Sequence, residues 1–281
     1  MALDQHADIA CIGTGAVAEA LAGGALAAGR RVVAIGTRSN TSTLADALGI
    51  SACNHQDAAQ ADVVVLCVPD GAIAEVCSTL PWRKDQLVVH TAGALGLDIL
   101  SPAADAGAHV GSLHPIMVLH RNGKGHEPLR GATASIDGDA EAHAWLTALA
   151  SDLGMNTVTI EADQRPLYHL SAALTGGLLT GLLADAAQLW TAIGHDATTG
   201  AAALGPMVQQ AGCMLEARGA DGIVMGPAAR GDVGTITCHL EAIKQAAPHM
   251  LPLYRELVRS CMRHADLTAT QRQAIDDALD S

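Results

Sequence analysis

A chain of 281 residues with 49% hydrophobic side chains has enough apolar surface for a large core and for two domains. Its formal charge of −13 argues against a general nucleic-acid binder or a binder of anionic membranes, and leaves local basic pockets open. Seven cysteines, at positions 11, 53, 67, 77, 213, 238 and 261, include no close pair and read as reduced, mostly buried thiols, while the absence of Phe beside abundant Ala points to closely packed backbones.

The segment Met1 to Asp8 carries acids and no basic stretch, unlike a secretory signal, and a cytoplasmic location is expected. An apolar strand, Ile9 to Ile12, then runs into Gly13-Thr14-Gly15-Ala16-Val17-Ala18. The following helix places Val17, Leu21, Gly24, Ala25 and Ala28 on one side, and Gly29 ends it as a left-handed cap would. A second strand, Arg31 to Ile35, completes a strand-helix-strand unit of about thirty residues, the setting in which such a turn binds a dinucleotide. Gly13 permits the tight turn, Gly15 with Ala16 lets the backbone approach a pyrophosphate, and small Ala18 lets helix and strand pack closely. Unpaired amides at the helix start face the anion. The competing reading is a purely structural turn.

Enzymes selective for NAD usually carry Asp or Glu at the end of the second strand to bind the adenosine ribose. Here the sequence is Gly36-Thr37-Arg38-Ser39-Asn40, so a 2′-phosphate can sit between the Arg38 guanidinium and the Ser39 and Asn40 side chains, which predicts NADP. The alternative is a solvated Arg38, with a serine capping a helix from Thr43 to Leu48.

Further strands are expected at Val63 to Val68, Leu87 to His90, His109 to Leu113, Ala132 to Ile136 and Asn156 to Ile160, making a mainly parallel sheet covered on both faces. Polar groups cluster just past their ends: Pro69 and Asp70, His90-Thr91-Ala92-Gly93, and Leu113-His114-Pro115. Each has a plain structural reading, since Pro69 ends a strand, Asp70 can cap a helix and His90 can be a satisfied core histidine, whereas His114 is better placed in a loop. His114, His120 and His126 lack the compact spacing of a zinc site, and no metal is expected.

Beyond residue 161 the pattern turns helical, with spans near 165–193, 195–218, 233–246, 249–264 and 268–279. The division is a Rossmann-like NADP-binding domain, 1–161, and a helical substrate and dimerisation domain, 162–281, packed around a cleft. Leu251, Tyr254, Val258 and Cys261 form an apolar stripe. Pro166 to Ala184 has no charged residue and the length of a membrane span, but its His, Ser, Thr and Gly content predicts a buried central helix instead. Gly177 and Gly181 would let another helix approach closely, as in a dimer core. Tyr168 and His169 are candidate proton donors, or else a buried hydrogen-bonded pair. In Gly226-Pro227-Ala228-Ala229-Arg230-Gly231-Asp232, Arg230 can bind a carboxylate and Asp232 can cap a helix, with Thr235 or His239 facing the loop; a structural Arg230–Asp232 interaction is the alternative.

Gly13-Thr14-Gly15, Thr37-Arg38-Ser39, Val68-Pro69-Asp70, His90-Thr91-Ala92-Gly93, Ser112-Leu113-His114-Pro115, Tyr168-His169 and Gly226 to Asp232 together resemble a family of Rossmann-like oxidoreductases carrying the C-terminal domain of unknown function numbered 2520. The layout is more distantly similar to pyrroline-5-carboxylate reductases and the 6-phosphogluconate dehydrogenase superfamily. That resemblance implies NADP-linked reduction and a homodimer formed through the helical domain. With it, the expected site comprises Gly13, Thr14, Gly15, Ala16, Val17, Thr37, Arg38, Ser39, Val68 and Pro69 for the cofactor. His90, Thr91, Gly93, Arg230, Asp232 and Thr235 are expected at the substrate, and His169, Tyr168 and His114 at the proton. Ala92 and Gly177 depart from the family's usual Ser and Asn, removing two hydrogen-bonding groups from the expected cleft. The expectation is an NADP-dependent oxidoreductase reducing a small C=N or C=O compound, a carboxylate among the options, with no nucleic-acid or membrane partner. The alternative is a noncatalytic NADP-binding sensor or scaffold.

Overall fold

A computed structural model describes residues 3–121, 127–220 and 222–281, in two compact units, Met1–Leu178 and Leu179–Ser281. In the first, β1 (Ile9–Ile12), α1 (Ala16–Ala27), β2 (Val32–Gly36), α2 (Thr43–Leu48), β3 (Ser51–Cys53), α3 (His55–Ala58), β4 (Val63–Leu66), α4 (Asp70–Thr79) and β5 (Leu87–His90) alternate along the chain. They continue into α5 (Ser101–Asp105), β6 (His109–Ile116), β7 (Thr133–Gly138), α6 (Ala140–Asp152), β8 (Asn156–Thr159) and α7 (Arg165–Thr175). The eight strands form one sheet in the order β3-β2-β1-β4-β5-β6-β7-β8. All neighbours run parallel except β6 and β7, whose pairing brings Ser112 opposite Asp137 and His114 opposite Ser135.

Side chains alternate between the faces of a strand, and both faces of this sheet are covered. Ile9, Cys11, Val63, Val65, Leu87 and Val89 join α1 and α6 in one core. Ala10, Ile12, Val64, Leu66 and Val88 join α3, α4 and α5 in another. This is why IACI, VVVL and LVVH read as continuous apolar runs. The order in which successive strands are added changes direction between β1 and β4, the switch point at which a crevice forms outside the strand carboxyl ends.

Strand β3 lies outside the sequence reading, because three residues containing Ser and Cys carry no periodic signal. The helix expected over 165–193 is broken: Gly176 caps α7 at φ −103, ψ −103, and α8 (Gly177–Gln188) starts afresh. The expectation of a buried central helix is also corrected. Only 11% of the most apolar window in Ala162–Ile193 is buried, and on α7 Leu167 is 74% and Leu174 55% exposed. Apolar composition shows that a face avoids water, without showing that this chain itself covers it. By length and composition alone the stretch could cross a membrane, yet it contains Arg165, 1% exposed and bonded to Ser112 and Asp137 of the sheet, and breaks at Gly176.

In the second unit α9 (Ala197–Arg218), α10 (Pro227–Arg230), α11 (Val233–Ala246), α12 (Leu251–Arg263) and α13 (Ala269–Asp280) follow. Ile236, Leu240, Val258, Met262, Ile275 and Leu279 form its core, with Leu251, Tyr254 and Cys261 packed beside them as the apolar stripe predicts. Strands give way to helices after Thr159, whereas compactness divides the chain after Leu178, because α7 is tied back to β6 and β7 through Arg165.

Candidate active site

One cleft of about 1120 Å³ runs along the carboxyl ends of the parallel strands, wholly within the first unit. At one end lies the glycine turn. Gly13 adopts φ +125, and a Cβ there would collide with the Cys67 carbonyl of the neighbouring strand end, so only glycine lets β1 and β4 close at this point. The Gly13 amide donates to the Gly36 carbonyl at 3.0 Å, tying the turn to β2. Gly15 precedes α1 without any side-chain cap, and a Cβ on it would meet nothing within 4 Å. The first amides of α1 therefore face open space with no side chain spent on them, the arrangement that receives an anion. Thr37, 7% exposed, has a buried hydroxyl with no partner beside the same cleft. A dinucleotide fits this wall: Gly13 to Val17 for the pyrophosphate, Thr37, Arg38 and Ser39 farther along, and Val68 and Pro69 on the β4 side.

Ser42, not Ser39, caps α2, accepting from the Ala45 amide at 3.2 Å. Ser39 thus stays with Arg38 on the cleft wall, its hydroxyl within 3.3 Å of that of Thr41. His55, absent from the sequence reading, stands on this wall too. Burial and then the Arg38 charge push its pKa below the ordinary value. Its signal is faint, because it opens a one-turn helix capped by Asn54 after the missed β3.

At the other end the cleft meets Thr91, Gly93, His114 and His169. The His114 and His169 rings lie 5.9 Å apart, centre to centre. They close over Gly93, where a Cβ would come within 2.7 Å of both rings. His114 is held neutral at physiological pH: burial first, then the charges of His169 and Arg165, push it down to about 4. Its Nδ1 lies 2.7 Å from the Tyr168 hydroxyl, whose own pKa burial raises. Tyr168 lines no part of the cleft and reaches it only through His114.

His90 requires correction. It ends the fully buried β5, is 0% exposed and does not reach the cleft, because its side chain falls inside the sheet; its Nδ1 accepts from the Ala92 amide at 3.2 Å. Ala92 is likewise 2% exposed and part of a core cluster, so a hydroxyl missing there is not missing from the cleft. Asp70 opens α4 as its first residue, after Pro69 at the cap, and both line the cleft.

Beneath the histidines is a buried group the sequence reading passed over. The Arg165 guanidinium donates to the Ser112 hydroxyl at 2.6 Å and pairs with Asp137 at 3.2 Å, while its Nε and Nη1 are buried without partners. A cation in the first turn of a helix opposes the helix dipole, and that was the available signal that Arg165 has a tertiary partner.

In the second unit Asp232 caps α11, accepting from the Thr235 amide at 3.0 Å and its hydroxyl at 2.7 Å. Those bonds hold its carboxyl below the ordinary range, so Asp232 and Thr235 are engaged with one another. Arg230 ends α10 with its side chain exposed, and His239 bonds Tyr254 at 2.9 Å rather than turning to the loop. His126 lies outside the described residues, and among the described residues no three His, Cys, Asp or Glu side chains are grouped to hold a metal ion.

Residues 8–94 match the family described as NADP oxidoreductase, coenzyme F420-dependent, and residues 132–261 match the domain of unknown function DUF2520. No curated protein matches the chain. Among solved structures, a Bacteroides fragilis protein described as an NADP oxidoreductase is 23% identical over 92% of this chain and 99% of that one, with a TM-score of 0.76. A pyrroline-5-carboxylate reductase from Streptococcus pyogenes is 19% identical over 99% of this chain and 98% of that one, TM-score 0.60. A reductive aminase from Aspergillus terreus, solved with NADPH and ethyl-5-oxohexanoate, is 18% identical over 96% of this chain and 99% of that one, TM-score 0.61. At these identities the likeness is one of fold. The chain has a Rossmann-like sheet, with residues 8–94 similar to the NADP oxidoreductase family and residues 132–261 similar to the DUF2520 domain.

Proposed function

We propose that the protein is an NADPH-dependent reductase of a small C=O or C=N compound. The observation that carries this reading is continuity: one cleft runs from Arg38 past Gly13 and Gly15 to His114 and His169. Bound NADPH supplies a hydride to an electrophilic carbon. The residues of the chain hold the cofactor and deliver the proton. Gly13 to Val17 would hold the pyrophosphate on unspent helix amides, and Arg38 and Ser39, with His55 on the same wall, would hold the 2′-phosphate. His169 gives a ring proton to the carbonyl oxygen or imine nitrogen. His114, neutral, receives that same atom as a hydrogen-bonding neighbour, and Tyr168 acts as a positioning residue that fixes the His114 ring.

Oxidation of NADPH across imines, keto acids and aldehydes tests the reading. Saturable turnover is expected, with His169→Ala lowering it by about 10²–10⁴ while NADPH affinity stays within a few-fold. Tight NADPH binding with no oxidation across the panel would favour a sensor or scaffold instead, and an unchanged rate in His169→Ala would remove that residue from the chemistry. We place the protein in a reducing compartment, consistent with seven free cysteines, and as a homodimer whose interface includes the exposed leucines of α7.

A further inference from the structure

A second cleft, of about 650 Å³ and also within the first unit, shares His114 and His169 with the first and extends away from the glycine turn between α7 and the end of β6. The geometry points to this cleft as the compartment for the body of the substrate, and to an uncharged, apolar ketone, aldehyde or imine as its occupant, with ionised carboxylates excluded. This inference rests on the reductase reading, since it is the two shared imidazoles that bring a molecule held here against the reacting end of the cofactor cleft.

Its walls give the chemistry. Pro115, Ile116, Val118, Ala172 and Ala173 are apolar, and none of the described residues lining the cleft is Asp, Glu, Lys or Arg, so its ionisable groups are the two histidines it shares with the first cleft. The Thr175 hydroxyl is turned onto its own helix, 3.0 Å from the Ser171 carbonyl. His114 is neutral at physiological pH and its Nδ1 is taken by Tyr168. The Arg165 guanidinium is 1% exposed and committed to Ser112 and Asp137. Gly177 contributes no side chain, so the cleft ends in backbone. A carboxylate moved into such surroundings gives up its hydration with no fixed cation to replace it, since the His169 proton goes to the reacting oxygen or nitrogen, whereas each apolar group moved there is favoured. The volume suits a ring or a branched chain better than a substrate of two or three carbons.

Benzylacetone and benzylpyruvate share a body and differ only in a methyl against a carboxylate. Titrating each into the full-length protein loaded with NADPH, by calorimetry, is expected to show benzylacetone binding about a hundredfold more tightly. Ala173→Phe, which fills the cleft, should weaken benzylacetone at least about tenfold and leave NADPH affinity unchanged. Gly177→Asn, where an added Cβ meets nothing within 4 Å, should narrow the preference between the two probes. Equal or tighter binding of benzylpyruvate overturns the inference, and its loss in Arg230→Ala would hand the substrate to that arginine. No binding of benzylacetone, or indifference to both Ala173→Phe and Gly177→Asn, also overturns it. Benzylacetone bound in the predicted way with NADPH left unoxidised would uphold the cleft and count against the reductase reading; turnover of other carbonyls without benzylacetone binding would do the reverse.

Discussion

On the proposed reading, Arg38 concentrates the choice of cofactor in one side chain. It shares a wall with Ser39 and His55 and has no carboxylate at the end of β2 to repel a phosphate. Replacing it with Ala should weaken NADPH by about 1.5–3 kcal/mol, roughly ten- to a hundredfold, and leave NADH nearly unchanged. Equal losses for both in a fluorescence titration would show that Arg38 does not read the 2′-phosphate. His90 and His114 make a prediction of another kind. Burial pushes both down to about 4, with Arg165 adding to the effect at each. In the unfolded chain a histidine titrates near about 6.5, so between these values the unfolded state binds more protons. The stability they contribute is complete above about pH 6.5 and is lost as pH falls toward 4, about 2 kcal/mol for each by pH 5. Thermal unfolding should therefore come at lower temperature at pH 5 than at pH 7, and His90→Gln should flatten the difference. A melting temperature that holds or rises on acidification would contradict the buried, neutral state of these rings.

At the scale of elements, α7 is the piece on which the site depends, and Arg165 is its anchor. The helix brings Tyr168 to His114 and His169 to the cleft, and only its first residue is fully buried. Arg165→Met leaves Asp137 and Ser112 without their partner, which should cost about 3 kcal/mol. It also removes a charge that holds His114 down, so the His114 ring should titrate closer to its ordinary value when followed by NMR. Arg165→Lys, which keeps the charge and loses the fork, should restore the titration more fully than the stability. If neither variant moves the His114 titration, Arg165 serves the fold alone. This part of the site was hidden in the sequence because Ser112, Asp137 and Arg165 lie on three separate elements, and only the antiparallel β6–β7 register sets the first two opposite each other. The glycine turn was legible because everything it needs is local: strand, turn and helix follow one another within a few residues. His90 was misplaced for the same reason in reverse, since a strand end gives no sign of which side chains face the cleft and which face the core.

For the whole molecule, the open question in the sequence was what covers the apolar helix after residue 161. The first unit does not bury it: Leu167, Leu174 and Leu178 are 74%, 55% and 61% exposed. A second copy of the chain is the expected cover, so light scattering should give twice the mass of one chain, 28.6 kDa, and Leu174→Glu should shift it toward one while circular dichroism keeps the helical signal. A single-chain mass for the unaltered protein would rule that out.

The sequence by itself determined the α/β half with helices on both faces of its sheet, the glycine turn on which the proposed dinucleotide site is built, the arginine on the same cleft wall and the helical nature of the remainder. Apolar runs, periodicity and turn chemistry act over a few residues and survive in one dimension. Only the tertiary structure decided that His90 and Ala92 belong to the core, that Tyr168 stands behind His114, that a buried arginine braces them, and that the apolar helix is left uncovered. Those properties depend on which distant side chains meet and how much water is excluded when they do, and burial is set by the packing of elements far apart in the chain.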